Sequence, residues 1–150
     1  GFLDAQREYA GEDRNADGVL EYARRFVSSP GQRDGLYWPT AEGEPQSPAG
    51  PLFDTEGLED GYHGFRFRIL EAQGPAADGG ARSYLSRGRL VNGFAAVAWP
   101  ARYGETGVMT FAVNHDGVVH QKDLGPDTAK IAAAMTRYDP DAKWVEVPAP

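Results

Sequence analysis

Phe2, Ala5 and Tyr9 recur at helical spacing, with Leu3, Gln6 and Ala10 around them, and this pattern predicts a helix over the first ten residues. Residues 11–18 are polar and turn-rich. A second short helix is predicted over residues 19–28, with Leu20, Ala23 and Phe26/Val27 inward and Ser29-Pro30-Gly31 ending it. From residue 31 to 61 the chain is broken by Pro39, Pro45, Pro48, Pro51 and several glycines. Tyr37 and Trp38 lie inside that stretch and point to an ordered loop pinned by aromatics, of a length that is often functional.

Residues 61–71 carry the clearest strand pattern. His63, Phe65, Phe67 and Ile69 alternate with Gly64, Arg66 and Arg68, giving one core face and one wet face. Short apolar strands follow at 94–99 and 107–113. Asn114-His115-Asp116-Gly117 then turns the chain, since Asp-Gly supplies the positive φ of a tight hairpin, and residues 118–122 return. A last helix is expected over 126–137, with Gly125 as N-cap, Pro126 and Asp127 in the first turn, and Ile131, Met135 and Tyr138 inward. The expected fold class is α+β: an N-terminal helix-loop-helix and a C-terminal helix packed on a small antiparallel sheet, with long Gly/Pro-rich loops. The 150 residues suit one domain, helical and loop-rich over about 1–60 and sheet-rich with the final helix over about 61–150.

Composition narrows the functional classes. A chain of this length buries roughly 70% of its unfolded surface, so it needs neither disulfide nor metal to fold. With 19 Gly and 11 Pro against 41% hydrophobic residues, long ordered loops around a modest core are expected. Cysteine is absent, which removes thiolate chemistry. The net charge of −7 counts against nucleic acid, which demands a basic face. No stretch approaches the roughly 20 apolar residues of a membrane span. The opening Gly-Phe-Leu-Asp, without Met, reads as a processed fragment.

The strongest candidate chemistry is a calcium loop. Asp13, Asn15 and Asp17 alternate so as to aim three oxygen ligands inward, Gly18 permits the sharp turn, the Val19 carbonyl can coordinate, and Glu21 falls at the ninth position. The twelfth position, where the full motif needs a bidentate Glu, holds Arg24. A site of this kind binds Ca2+ weakly, on the order of 10⁻⁴–10⁻³ M, and acts structurally. The competing reading makes Asp13, Asn15 and Asp17 caps of the helix that follows. His63, His115 and His120 show no metal spacing and read as satisfied or exposed side chains. Ser83 and Ser86 lack a nucleophile elbow, and Gly88–Gly93 lacks the Lys-Ser/Thr of a phosphate cradle, so no catalytic set is expected. Arg102 and Glu105 can brace their loop as an ion pair or bind a ligand. Trp38, Trp99 and Tyr103 can anchor loops and core, or line a carbohydrate surface.

The runs Arg33-Asp34-Gly35-Leu36-Tyr37-Trp38-Pro39, Tyr62-His63-Gly64-Phe65-Arg66-Phe67-Arg68-Ile69-Leu70-Glu71-Ala72-Gln73-Gly74, and Pro100-Ala101-Arg102-Tyr103-Gly104-Glu105-Thr106-Gly107-Val108-Met109-Thr110-Phe111, with Lys122-Asp123-Leu124-Gly125-Pro126-Asp127-Thr128, carry a resemblance. Together they resemble a bacterial family known as domain of unknown function 2950. Its members are typically exported by Gram-negative bacteria, and its acidic loop usually has Asp where Asn15 stands. A looser similarity links Ala5-Gln6-Arg7-Glu8-Tyr9 and the hairpin Thr110–Val119 to type IV pilin and pseudopilin heads.

The resemblance implies a periplasmic or extracellular location and a pilin-head-like fold. The resulting expectation is an exported structural or interaction domain, calcium-stabilised, not an enzyme, with a protein partner or self-association. Two alternatives stand beside it. One is an enzyme or small-ligand binder, with cell-wall glycans as a candidate ligand, built on the Tyr37-Trp38 and Arg102-Glu105 loops. The other is a self-assembling pilin-like filament subunit.

Overall fold

A helix forms where the Phe2, Ala5 and Tyr9 spacing predicts it: α1 spans Phe2–Ala10 and buries Ala5, Gln6 and Tyr9. The structure is a computed structural model and describes residues 2–14, 18–45, 47–48 and 64–147. In chain order the strands are β1 (Phe65–Leu70), β2 (Ala72–Gln73), β3 (Arg82–Ser83), β4 (Leu85–Ser86), β5 (Arg89–Leu90), β6 (Ala95–Pro100), β7 (Thr110–Asn114), β8 (His120–Lys122) and β9 (Val145–Glu146). Helix α2 (Thr128–Ala133) lies between the last two strands.

The main sheet is antiparallel, ordered β1-β6-β7-β8-β9, while β2–β3 and β4–β5 form separate two-stranded ribbons. Phe65 faces Pro100 and Leu70 faces Ala95 across the first pair, and Ala95 faces Asn114 across the next. Arg66 and Arg68 of β1 are exposed, while Ile69 and Leu70 are buried, so the alternation read from the sequence holds until the strand dives into the core. β6 is buried along nearly its whole length, and its run of alanines lets α2 lie close through Ala132. The mixed α+β class is therefore correct.

Two expectations about helices fail. Residues 19–28 form no helix. Their backbone groups are taken by distant segments: the Tyr22 amide donates to the Leu90 carbonyl at 2.8 Å, and Tyr37 exchanges bonds with Phe26 and Ser28 at 2.8 and 2.9 Å. The Gln6 side chain, fully buried, clasps Ala23 from both sides, its Oε1 accepting the Ala23 amide at 2.8 Å and its Nε2 donating to the Ala23 carbonyl at 2.9 Å. A segment whose amides are committed in this way cannot also make the i→i−4 bonds of a helix, since each amide has one proton to donate. Leu20 and Val27, expected inward, are 56% and 49% exposed. The N-terminal helix-loop-helix is thus a helix followed by an extended strap. Gly35 is required beneath it, because a Cβ there would come within 2.8 Å of the Ser28 nitrogen.

The C-terminal helix is shorter than residues 126–137 and turns Thr128 and Ala132 inward. Ile131 is 44% exposed, because the inward face carries Thr128 and Ala132 instead, while Met135 of the expected stripe packs partly buried against the core beyond the helix end. Tyr138 is buried beyond the helix end, where its amide donates to the Ala72 carbonyl and its carbonyl accepts the Gly74 amide, both at 2.8 Å. The N-cap is Asp127 rather than Gly125, and Gly125, at φ +78°, makes the turn before it.

The strap joins the sheet through a chain of rings. Phe67 meets Phe26, Phe26 meets Phe2, Phe2 meets Phe94 and Phe94 meets Tyr22, with centroids 4.7–5.3 Å apart. A second buried amide, Gln73, pins the loop after β2: its Nε2 donates to the Asp78 and Gly80 carbonyls and its Oε1 accepts the Tyr84 hydroxyl, each at 2.8 Å.

Replacing Gln6 by Leu keeps the volume and strands two buried backbone groups. The expected loss is roughly 2–5 kcal/mol, read as a lower urea midpoint at unchanged slope. A change below about 0.5 kcal/mol, the size of an ordinary surface substitution, would remove the clasp from the account.

Candidate functional site

The C-terminal end of α1, the strap and the β4–β5 ribbon enclose the site. The helix closes its last turn through Gly11 and Glu12. Arg14 then folds back, its Nε donating to the Tyr9 carbonyl at 3.1 Å and its Nη2 to the Glu8 carbonyl at 3.3 Å. A cation on those last carbonyls is favoured by the helix dipole. Arg14 also lies against the Tyr9 and Trp38 rings, 5.2 and 5.3 Å from their centroids. Arg33 approaches the same Trp38 ring at 5.3 Å.

The acidic loop leaves this helix end. Asp13 Oδ2 accepts the Gly18 amide at 2.8 Å, and Gly18 has φ +83°, so the first and sixth positions of the motif are tied together. Asn15 and Asp17 lie outside the described residues. Val19 and Glu21 continue into the strap. Among the described residues no helix follows for Asp13 to cap, and its carboxylate closes a turn instead. Among the described residues no three His, Cys, Asp or Glu side chains converge on a metal position. Arg24, at the twelfth position, forms a two-pronged pair with Glu71, Nε to Oε1 at 2.8 Å and Nη2 to Oε2 at 3.0 Å, and its Nη1 reaches the Gly88 carbonyl at 3.3 Å. It fastens the strap to the end of β1.

Beside the loop lies a cleft of about 710 Å3. Arg14, Arg24, Arg25, Arg33 and Arg89 line it, against the carboxylates of Glu21, Asp34 and Glu71, with Tyr9 and Tyr22 among the other walls. Burial alone would raise the Asp34 carboxyl, but hydrogen bonds from the Ser29 amide and hydroxyl, with Arg25 nearby, outweigh it and hold it below the usual range. Burial pushes the Tyr9 phenol up, and the Glu21 charge adds to that. Sequence reasoning missed this cleft, because its arginines are scattered from position 14 to 89.

Elsewhere the structure separates groups that the sequence suggests as one site. Tyr37 and Trp38 border a groove of about 450 Å3 with Val27, Pro30 and Pro39, and neither Arg102 nor Glu105 lines it. Arg102 and Glu105 face each other at 3.8 Å on an exposed turn. Trp38 and Trp99 are buried, so they offer no open aromatic platform, and Tyr103 is tied to Asp123 at 2.7 Å. His63 lies outside the described residues. His115 packs edge-on against Tyr84 and Phe94 with Nε2 3.3 Å from Arg82, and His120 Nδ1 lies 3.0 Å from the Tyr138 hydroxyl. That last pair lines a small cleft with Asp78, Asp116 and Glu146. No described helix is long and apolar enough to cross a membrane.

The chain belongs to the family described as protein of unknown function (DUF2950), whose model matches residues 1–147. No curated protein and no solved structure matches the chain, so the likeness to pilin heads gains no support from known structures.

Burial pushes the Tyr138 phenol up to about 12, with Tyr84, Asp116, Asp78 and Glu146 adding to it. An unfolded tyrosine ionises near about 10, so the unfolded state releases this proton first as pH rises. The stability contributed by neutral Tyr138 is therefore complete below about pH 10 and is lost between about pH 10 and 12. Urea midpoints measured across that interval should fall, and Y138F should fall less steeply than the unaltered protein. Identical slopes would show that Tyr138 does not carry the effect.

Proposed function

We propose that this DUF2950 domain is an exported cell-envelope or extracellular structural or interaction domain of a Gram-negative bacterium, stiffened by a weakly bound calcium ion and without catalytic activity. The observation that carries the calcium reading is the bond from the Gly18 amide to Asp13 Oδ2 at positive φ. It ties the first carboxylate of the motif to its sixth position, where the motif needs a glycine turn. The Val19 carbonyl and Glu21 complete the proposed set, and the Arg24–Glu71 pair keeps the Arg24 cation on another partner.

The role assigned to calcium follows from where the loop stands. It joins α1, which holds Ala23 through Gln6, to the strap that Arg24 fastens to β1. An ion there shortens the freedom of the one connection between them. The non-catalytic reading is supported by the internal commitments of the candidate side chains: Arg24 to Glu71, Arg25 to Ser29 and Asp34, His120 to Tyr138. Export rests on the family resemblance of the residues quoted above.

Millimolar calcium should raise the melting temperature of metal-free protein and give a saturable heat in calorimetric titration, while magnesium should do so far less. D13N separates the two readings of the loop, since an amide oxygen can still accept the Gly18 amide but brings no charge. The variant should keep its metal-free stability and lose the calcium-dependent gain. A melting temperature indifferent to calcium in the unaltered protein would exclude the ion.

A further inference from the structure

The cleft between α1, the strap and the β4–β5 ribbon has a charge opposite to that of the protein around it. The chain carries a net charge of −7, yet five arginines and three carboxylates line this cleft. All five cations are guanidinium groups and none is an ammonium, although the chain also contains lysine. Planar forks of this kind match the paired oxygens of a carboxylate or phosphate better than a lysine does.

The framework accounts for only part of this charge. Glu71 neutralises Arg24 at hydrogen-bond distance, and Asp34, held by Ser29, lies 3.8 Å from Arg25. Arg14 spends its donors on the Tyr9 and Glu8 carbonyls and pairs with Glu12. Arg33 is different. Its side chain is exposed and lies on the Trp38 face, and it meets no carboxylate among the described residues. The indole holds the guanidinium at the cleft wall without consuming its hydrogen-bond donors. Its backbone is fixed as well, because its carbonyl accepts the Tyr9 hydroxyl at 3.4 Å. A cation placed in this way costs little ordering entropy when an anion arrives.

We propose that this cleft is a binding site for a small, hydroxylated ligand bearing a carboxylate or phosphate, with Arg33 as the principal contact to the anion. The volume of about 710 Å3 suits a ligand of one or two sugar units. The wall is mostly charged or hydroxylated, with Tyr9 and Tyr22 as its rings, so it favours a polar body over a greasy one. Glu21, Asp34 and Glu71 line the same cleft, and their charges oppose the anion.

Calorimetric titration of the calcium-free protein with glucuronate, inorganic phosphate and glucose tests the site independently of the calcium reading. Glucuronate is expected to bind best, phosphate weaker and glucose not at all. R33A should weaken glucuronate about tenfold or more and R33K less, while E21Q should tighten it several-fold. R102A, which removes an exposed arginine outside the cleft, should leave binding unchanged. Arg33 is a surface side chain, so loss of binding in R33A with an unchanged melting temperature reads as loss of a contact. Failure of both anions to bind would overturn the proposal, as would equal binding by R33A and the unaltered protein. Phosphate binding without glucuronate binding would overturn the sugar-sized ligand and leave a bare anion site.

Discussion

The bidentate bond between the Gln6 side chain and the backbone of Ala23 is the constraint on which the N-terminal half depends. A carboxamide has the same donor and acceptor as a peptide group, so Gln6 acts as a one-residue strand partner delivered by a helix. Both ends are fully buried, where an unpaired amide or carbonyl is expensive, and this makes the register of the strap nearly unique. Once Ala23 is fixed, Tyr22 falls on Leu90 and the Phe26–Ser28 stretch falls on Tyr37. The ring chain from Phe67 to Tyr22 then has only one way to close.

The same device recurs in the β2–β3 ribbon. Gln73 spends its whole amide on the Asp78 and Gly80 carbonyls and the Tyr84 hydroxyl, and so shapes a glycine-rich loop that has few apolar side chains to anchor it. A protein with many glycines and a modest core gains specificity from such satisfied polar contacts where bulk burial is thin. The strap, in turn, sets the charge layout. It carries Glu21, Arg24 and Arg25 past the end of β1 and places them opposite Arg33 and Asp34, so the acidic loop and the arginine cleft share a wall.

Parts of this were legible in the sequence because they repeat. The alternation of Phe65, Arg66, Phe67 and Arg68 and the helical spacing of Phe2, Ala5 and Tyr9 each extend over enough positions to show a period. Gln6, four residues from Phe2 and three from Tyr9, sat on the inward face, and that position was the readable sign of a buried amide. The strap was misread because Leu20, Ala23 and Val27 imitate a helical stripe, while what decides its conformation lies seventeen residues away in Gln6. Two-residue strands such as β2–β5 have no period at all. The acidic loop was visible as a motif, but the partner of Arg24 was not, since Glu71 comes near only when the strap crosses β1. The arginine cleft left no trace as a basic tract, because its members come from separate segments.

Native-state hydrogen exchange at the Ala23 amide tests the clasp most directly. Exchange there is expected to require opening of the strap from α1, with protection close to that of amides in β6 and far above that of the exposed Arg102–Thr106 turn. Exchange of Ala23 as fast as in that turn would contradict it, and would leave the strap, the loop and the cleft without the contact that positions them.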